Sequence, residues 1–166
     1  KRGIAIPQWG VGFGGSTNEH QLWMYDAMRS LAGTPAGRGA WHDTIAKTVK
    51  GVIDVGQQVA PVFEQSLPNG RLEKKLTVIA RLINANLGMR VLDTGYDGFD
   101  NHSSEPQELP GLLTDFDRAL QSFFATLDPS FRSRVTIMTY SEFGRTSWAN
   151  DSSGTDHGTT NNHFII

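Results

Sequence analysis

The stretch that decides the expected fold is VTIMTYSEFGRT, residues 135–146, where a run of β-forming residues leads directly into a polar segment. The run at Val135–Tyr140 is rich in β-branched side chains and predicts a strand. The polar loop that follows covers residues 141–162. In an open α/β sheet, ligands bind beyond the carboxyl ends of the strands. This order therefore predicts that the loop carries functional side chains.

The segments before this strand follow the same order of helix, strand and loop. Apolar residues recur at helical spacing over residues 72–83, and a short apolar run at residues 89–93 predicts a strand. A polar loop, residues 94–110, precedes a second amphipathic helix at residues 112–127. Strands that alternate with long helices predict right-handed crossovers. We therefore expect an α/β fold with a mostly parallel sheet flanked by helices, in which both polar loops meet at one rim.

The first part of the chain carries weaker signals. Residues 1–20 are rich in glycine but lack the Lys-Ser/Thr ending of a phosphate-binding loop, so an irregular loop is expected. Helical stretches are expected at residues 19–32 and 41–66. The chain is interpreted as a single domain, or a fragment of one. It has a glycine-rich and helical region at residues 1–70 and an α/β metal-site region at residues 71–166.

Composition limits the classes of function. The chain has 166 residues, of which 38% are hydrophobic and 19% charged, as expected of a globular domain with a core. The formal net charge of −2 gives no basic surface for nucleic acid. No apolar run approaches the roughly 20 residues that span a bilayer, and there is no cysteine for a disulfide or thiolate site. The chain opens without methionine and stops in an expected buried strand, which predicts a fragment of a longer domain.

Two short motifs in the polar loops bring Asp and His together. GYDGFDNH holds Asp100 and His102 two residues apart, and GTDHG holds Asp156 next to His157 between glycines. Carboxylate oxygen and imidazole nitrogen suit Zn, Mn or a similar divalent cation. Each pair alone is also compatible with a turn that carries a surface histidine, and Asp97 is an alternative to Asp100. If both loops reach one rim, the four side chains form a metal site.

The segment SEFGRT supplies two further candidates at the end of the expected strand. Glu142 is interpreted as a metal ligand or a general base, and Arg145 as a clamp for an oxyanion such as phosphate or sulfate. The alternative for both is an ion pair with each other. His163 precedes an expected strand, where packing or a hydrogen bond to a ligand residue is favoured over a ligand role.

Together, GYDGFDNH, SEFGRT and GTDHG resemble a family of exported bacterial proteins of unknown function, grouped with the sulfatases in the alkaline-phosphatase superfamily. The resemblance covers residues 72–166. Phe99 and Asn101 stand where that family has Trp and Thr. The resemblance implies an alkaline-phosphatase-like parallel α/β sheet, a metal site that cleaves phosphate or sulfate esters, and a periplasmic or extracellular location, although no signal peptide is visible.

The resemblance also implies ligands, in two alignments. Asp100 and His102 match ligands of a first metal in both. Asp156-His157-Gly158 matches a ligand pair in one alignment. In the other, His157 joins the first metal, Glu142 serves a second, and Phe143 stands where a histidine ligand belongs. No counterpart of the superfamily's nucleophile is visible in this chain.

The expected function is metal-dependent hydrolysis of a small-molecule phosphate or sulfate ester, with Glu142 and Arg145 as catalytic residues and a nucleophile outside this chain. The expected cofactor is Zn or Mn, with Mg or Ca as alternatives. A different reading is a catalytically inactive binding or structural module that keeps the fold, with or without one metal. A phosphosugar mutase of the same superfamily is a third.

Overall fold

A computed structural model describes residues 3, 5, 6 and 19–166 of the chain. Helices are its main secondary structure. The longer elements, in chain order, are helices α1 (Glu19–Ala32), α2 (Ala40–Val59), α3 (Arg71–Asn84) and α4 (Glu105–Thr126), and strands β1 (Gly144–Arg145) and β2 (His157–Gly158). Two 3₁₀ helices, Ala60–Phe63 and Pro129–Arg134, follow α2 and α4.

The chain divides into two compact units, Lys1–Leu67 and Pro68–Ile166. In the first unit, α1 and α2 pack against each other. The helices expected at residues 19–32 and 41–66 are confirmed, the second as α2 and the 3₁₀ turn after it. The glycine-rich segment with Gly10, Gly12, Gly14 and Gly15 lies outside the described residues.

The second unit is built on the contact between α3 and α4. Leu72, Leu76 and Ala80 of α3 face Ala119 and Phe123 of α4, and all five are buried. Ala80 and Ala119 are 0% exposed, so these two small side chains are fully enclosed in the core between the helices. The spacing of three and four residues along each helix puts these apolar side chains on one face. Both amphipathic patterns in the sequence are thus accounted for by one helix pair.

Helix α4 begins earlier than its apolar pattern suggests. It starts at Glu105, inside the expected loop at residues 94–110. Pro106 lies in the first turn, where backbone N–H groups have no partner within the helix, so the N–H that proline lacks is not missed. Glu105 and Glu108 place negative charge at the positive end of the helix dipole. Residues that suggest a loop in the sequence therefore form a favourable helix start.

The prediction of a mostly parallel sheet is wrong, and so is the prediction of an alkaline-phosphatase-like α/β fold. Residues 89–93 form no strand in the described chain, and Val91 in the middle of this run is 87% exposed. A strand of a parallel sheet is buried on both faces by crossover helices. This segment has no such cover, so its apolar run does not indicate a sheet strand.

The run at residues 135–140 also lacks a parallel neighbour. It pairs with the end of the chain instead, through the antiparallel bridge Met138–Ile165 and the bonds between Ile137 and Ile166 at 2.8 and 2.9 Å. Val135 and Ile137 pack on the helix core, whereas Met138 is 64% exposed. This alternation is typical of a strand with one covered face. Hence the β-forming residues are half-buried and antiparallel.

Among the described residues, the one sheet is the short antiparallel pair β1–β2, in the register Gly144 with Gly158 and Arg145 with His157. It joins the end of SEFGRT directly to GTDHG. No helix in the described part of the chain has the length and apolar character needed to cross a membrane.

Replacing Phe123 with Ala should lower the free energy of unfolding by about 3 to 5 kcal/mol, because a buried aromatic ring is lost at the α3–α4 contact. Urea unfolding followed by circular dichroism measures this. Leu113→Ala is the matched control, because Leu113 lies on the same helix with 42% of its surface exposed. Equal losses in the two variants would contradict a core centred on this helix pair.

Candidate metal centre

The site begins with a tight turn at residues 150–154. The Asn150 side-chain oxygen accepts hydrogen bonds from the backbone N–H groups of Ser152 at 2.9 Å and Gly154 at 3.1 Å. An Asn side chain that bonds the backbone two residues ahead forms a local turn without help from distant residues. The sequence Asn-Asp-Ser-Ser-Gly therefore folds into a compact turn.

This turn is bonded to the start of α4. The N–H groups of Ser104 and Glu105 donate to the carbonyls of Ser152 and Ser153, at 3.1 and 2.9 Å. The first N–H groups of a helix have no partner within the helix. The turn supplies acceptors for them, which joins the segment around residue 102 to the segment around residue 154.

Gly154 makes this contact possible. It is buried, and a Cβ atom at this position would overlap the backbone of His102 and Ser103. The two chain segments therefore touch backbone to backbone. Any side chain here would separate them.

The pairing of β1 with β2 delivers the second histidine. Arg145 lies opposite His157 in this pair, and the Thr146 N–H donates to the Asp156 carbonyl at 2.8 Å. Cβ atoms added at Gly144 or Gly158 would lie 2.6 Å from the backbone of the opposite strand. Gly144 of SEFGRT and Gly158 of GTDHG thus allow a close antiparallel approach.

Three ligand-type atoms converge where these segments meet. Asp100 Oδ1 lies 3.0 Å from His102 Nε2 and 3.0 Å from His157 Nε2. Asp100, His102 and His157 each offer one atom, and these atoms all lie within 4.8 Å of one another. The side chains are 53%, 49% and 55% exposed, so the cluster opens to solvent. The chain therefore contains an exposed Asp-His-His triad that could hold a metal ion.

Asp156 lies on the side of the His102 ring that faces away from Asp100. Its Oδ1 is 3.0 Å from His102 Nδ1, the ring nitrogen that points away from Asp100. The Asn150 amide donates to the same oxygen at 3.1 Å. Asp156 therefore contacts the cluster through His102, and it is not part of the group of mutually close ligand atoms.

Arg145 lies beside the triad, with 18% of its side chain exposed. Its Nη1 donates to Asp100 Oδ1, its Nη2 to the Thr155 carbonyl and its Nε to Thr155 Oγ1 at 2.8 Å. Thr155 in turn donates to Glu105 at 2.8 Å. Three of the five guanidinium N–H groups are used by these bonds. The partner of Arg145 is thus Asp100, and not Glu142 as the alternative reading of SEFGRT held.

Phe143 and Glu142 take different positions. The Phe143 ring stacks on His157, with ring centroids 4.6 Å apart and an interplanar angle of 4°. Glu142 is exposed and does not belong to the group of ligand atoms found among the described residues. The stacking fixes one face of His157, whereas the Glu142 carboxylate faces solvent.

The electrostatics favour charged carboxylates at the site. The pKa of Asp100 lies below its usual value, chiefly through the hydrogen bond from His157, with Arg145 adding to the effect against desolvation. The pKa of Asp156 is also lowered, first by the hydrogen bond from His102 and then by that from Asn150. Both carboxylates therefore remain anionic at neutral pH, the state in which they accept from cations and N–H groups.

The weaker sequence candidates lie apart from this cluster. Asp97 pairs with Arg71 at 3.3 Å on the surface, and the Nδ1 of His163 lies 3.1 Å from the Thr139 carbonyl. Asn150 and Thr155, by contrast, contribute to the site without having been expected. A signal for Asn150 existed in the turn-forming Asn-Asp-Ser-Ser-Gly run. Nothing local marks Thr155, because its partners are 10 and 50 residues away.

Gly154→Ala should lower the free energy of unfolding by about 1 to 3 kcal/mol, because the added methyl group overlaps the His102 backbone. Thermal unfolding by circular dichroism measures the change. Gly111→Ala is the control: a Cβ there meets nothing within 4 Å, and Ala favours the interior of α4 by about 1 kcal/mol. A Gly154→Ala variant as stable as the wild type would argue against the close backbone contact.

Comparison with known proteins corrects one expectation. The expected kinship with sulfatase-like proteins of the alkaline-phosphatase superfamily is wrong, because nothing found indicates membership of that superfamily. No curated protein and no solved structure matches the chain. Residues 38–166 match one family, described as Protein of unknown function (DUF1501). This match includes both site motifs and more than half of the chain, and the protein therefore belongs to the DUF1501 family.

Proposed function

We propose that this chain binds one divalent cation, Zn or Mn, through Asp100, His102 and His157, and uses it to hydrolyse a phosphate or sulfate ester. Mg and Ca fit less well, because both prefer oxygen ligands and two of the three ligand atoms are imidazole nitrogens. An Asp with two His is a ligand set found at zinc sites.

The observation that carries the proposal is the facing pair His102 Nε2 and Asp100 Oδ1, 3.0 Å apart. An ionised Asp156 accepts hydrogen bonds only, so His102 Nδ1 is the donor in their 3.0 Å contact. In a neutral ring, Nε2 then carries the lone pair. Two acceptors that face each other at this distance need a cation or a proton between them.

The spacing of the cluster fits a metal ion as well as a proton, since 3.0 Å is also a usual N–H···O hydrogen-bond length. Bonds of about 2.0 to 2.2 Å in a tetrahedral site separate neighbouring ligand atoms by about 3.3 Å. The two contacts of Asp100 with the histidines are close to this value, and the third separation stays within 4.8 Å. A doubly protonated His102 would satisfy the same carboxylates, and direct metal titration separates the two states.

The open side of the cluster supports a reactive site. Structural zinc sites are closed by four protein ligands, whereas catalytic sites keep a position for water or substrate. Here three protein ligands are each about half exposed. When bound, the metal would neutralise charge that develops on the ester oxygens.

The remaining roles fall to the chain's own side chains. Arg145 holds Asp100 on its ligand side, and its two remaining N–H groups can donate to a non-bridging oxygen of the ester. The exposed carboxylate of Glu142 is retained as a candidate general base for the attacking group. The substrate is a small molecule with a tetrahedral oxyanion, which matches the donor geometry of a guanidinium group.

A second candidate is a binding or structural module in which the metal ties the two loops together. The stacking of Phe143 on His157 and the use of three Arg145 donors by the protein favour it. Metal binding without any ester hydrolysis is the outcome that this candidate requires.

Calorimetric titration with Zn²⁺ or Mn²⁺ should give about one ion per chain, because the three ligand atoms form one group. His157→Ala should weaken binding by more than about 100-fold, beyond the 10- to 100-fold typical of losing a hydrogen-bond partner of a ligand. His163→Ala removes a histidine outside the group and should bind as the wild type does. Absence of stoichiometric binding by the wild type would refute the site.

Hydrolysis of 4-nitrophenyl phosphate and 4-nitrophenyl sulfate, each with added Zn²⁺ or Mn²⁺, tests the reaction. We expect activity that requires the metal and falls by about 100-fold or more in Asp100→Asn, since charge stabilisation at the reacting oxygens is lost. Glu142→Gln should lower kcat by about 100-fold if the carboxylate is the general base. A chain that binds the metal and turns over neither ester supports the binding module instead.

A further inference from the structure

We propose that Asp156 and Asn150 are positioning residues, which fix the ring of His102 so that its Nε2 atom faces the cation. The inference rests on the proposed metal site and assigns Asp156 a role other than that of a ligand. Three sets of contacts carry it.

The first set consists of the contacts of the two ring nitrogens of His102, which face different carboxylates. Nε2 faces Asp100 at 3.0 Å and Nδ1 faces Asp156 at 3.0 Å, so two carboxylates hold opposite sides of one ring. A histidine that binds a metal commonly donates its other N–H to a carboxylate, which fixes the ring's orientation and tautomer and raises its basicity. Asp156 is placed to accept that N–H.

The second is the environment of the Asp156 carboxylate. Its Oδ1 accepts from both His102 and Asn150, at 3.0 and 3.1 Å. This oxygen lies on the Nδ1 side of the His102 ring, opposite the Nε2 atom that faces Asp100. That position explains why Asp156 stays outside the group of ligand atoms.

The third is the use of the whole Asn150 amide. Its oxygen accepts from the N–H groups of Ser152 and Gly154, and its nitrogen donates to Asp156 and to the His102 carbonyl at 3.0 Å. One side chain therefore holds the turn, the backbone of His102 and the carboxylate that orients the His102 ring. Only an amide offers acceptors and donors in this arrangement.

The experiment compares Zn²⁺ affinity among variants of Asp156. Asp156→Ala should weaken binding about 10- to 100-fold, as expected for the loss of a ligand's hydrogen-bond partner. Asp156→Asn keeps an oxygen that accepts from His102 and Asn150, so it should remain within about tenfold of the wild type. Losses of similar size, above about 100-fold, in both variants would overturn the proposal and make Asp156 a ligand.

Variants of Asn150 test the positioning role proposed for this residue. Asn150→Asp keeps the acceptor for Ser152 and Gly154 but turns a second carboxylate oxygen toward Asp156, so zinc affinity should fall about 10- to 100-fold. Asn84→Asp is the matched control, since the Asn84 amide also donates to a carbonyl, of Thr126 at 2.9 Å, and accepts from the Asp128 N–H at 2.9 Å. The control should lose stability without losing zinc affinity. Equal affinity losses in both would mean that Asn150 acts through stability alone.

Long-range proton–nitrogen NMR spectra of the His102 ring give a readout that does not need zinc. In the metal-free wild type at pH 8, we expect a ring proton on Nδ1, bonded to Asp156. In Asp156→Ala, Asp100 is the remaining carboxylate acceptor, so we expect the proton to move to Nε2, with a smaller shift in the same direction in Asn150→Asp. A wild type that binds no zinc defeats the proposed function, and these spectra still decide whether the two residues fix the ring. An unchanged tautomer in both variants would overturn the inference.

Discussion

The whole candidate site depends on one close backbone contact, in which the turn that contains Gly154 lies directly against the backbone of His102 and Ser103. It allows the turn to accept from the first N–H groups of α4 and brings Asp156 to His102. The short β1–β2 pair then places His157 opposite Arg145. The positions of the triad residues therefore depend on glycines, Gly154 at the contact with His102 and Gly144 and Gly158 in the strand pair.

The three members of the candidate triad can be singled out in the sequence, although the predicted reason for their meeting is wrong. The expected rim of a parallel sheet does not exist, yet Asp100, His102 and His157 come together. Asp and His side chains in glycine-rich turns can be recognised as candidate ligands in the sequence, whatever the position of the turns in the fold. Their actual meeting depends on an antiparallel pair and a helix start, whose partners are 45 to 57 residues apart in the chain. Local pattern cannot reveal such pairings.

Within the fold, helices could be predicted from the sequence and strand pairing could not. Helices are predictable because their hydrogen bonds are local and their apolar period is visible, as in α3 and α4. Strands satisfy their hydrogen bonds on another segment, so residues 89–93 and 135–140 have the composition of strands without specifying a neighbour. Glu105 and Pro106 suggest a loop for a similar reason, because a helix start and a turn use the same residues.

The long separation between the two halves of the triad also has a kinetic consequence. Asp100 and His157 are 57 residues apart, with α4 between them. Contacts of such high sequence separation bear a large loop-closure entropy and form after the local helices. We therefore expect the triad to form after the individual helices, as the α3–α4 contact also does. A cation that binds only this finished arrangement would stabilise the native chain by mass action, so that metal supply and folding yield are thermodynamically linked.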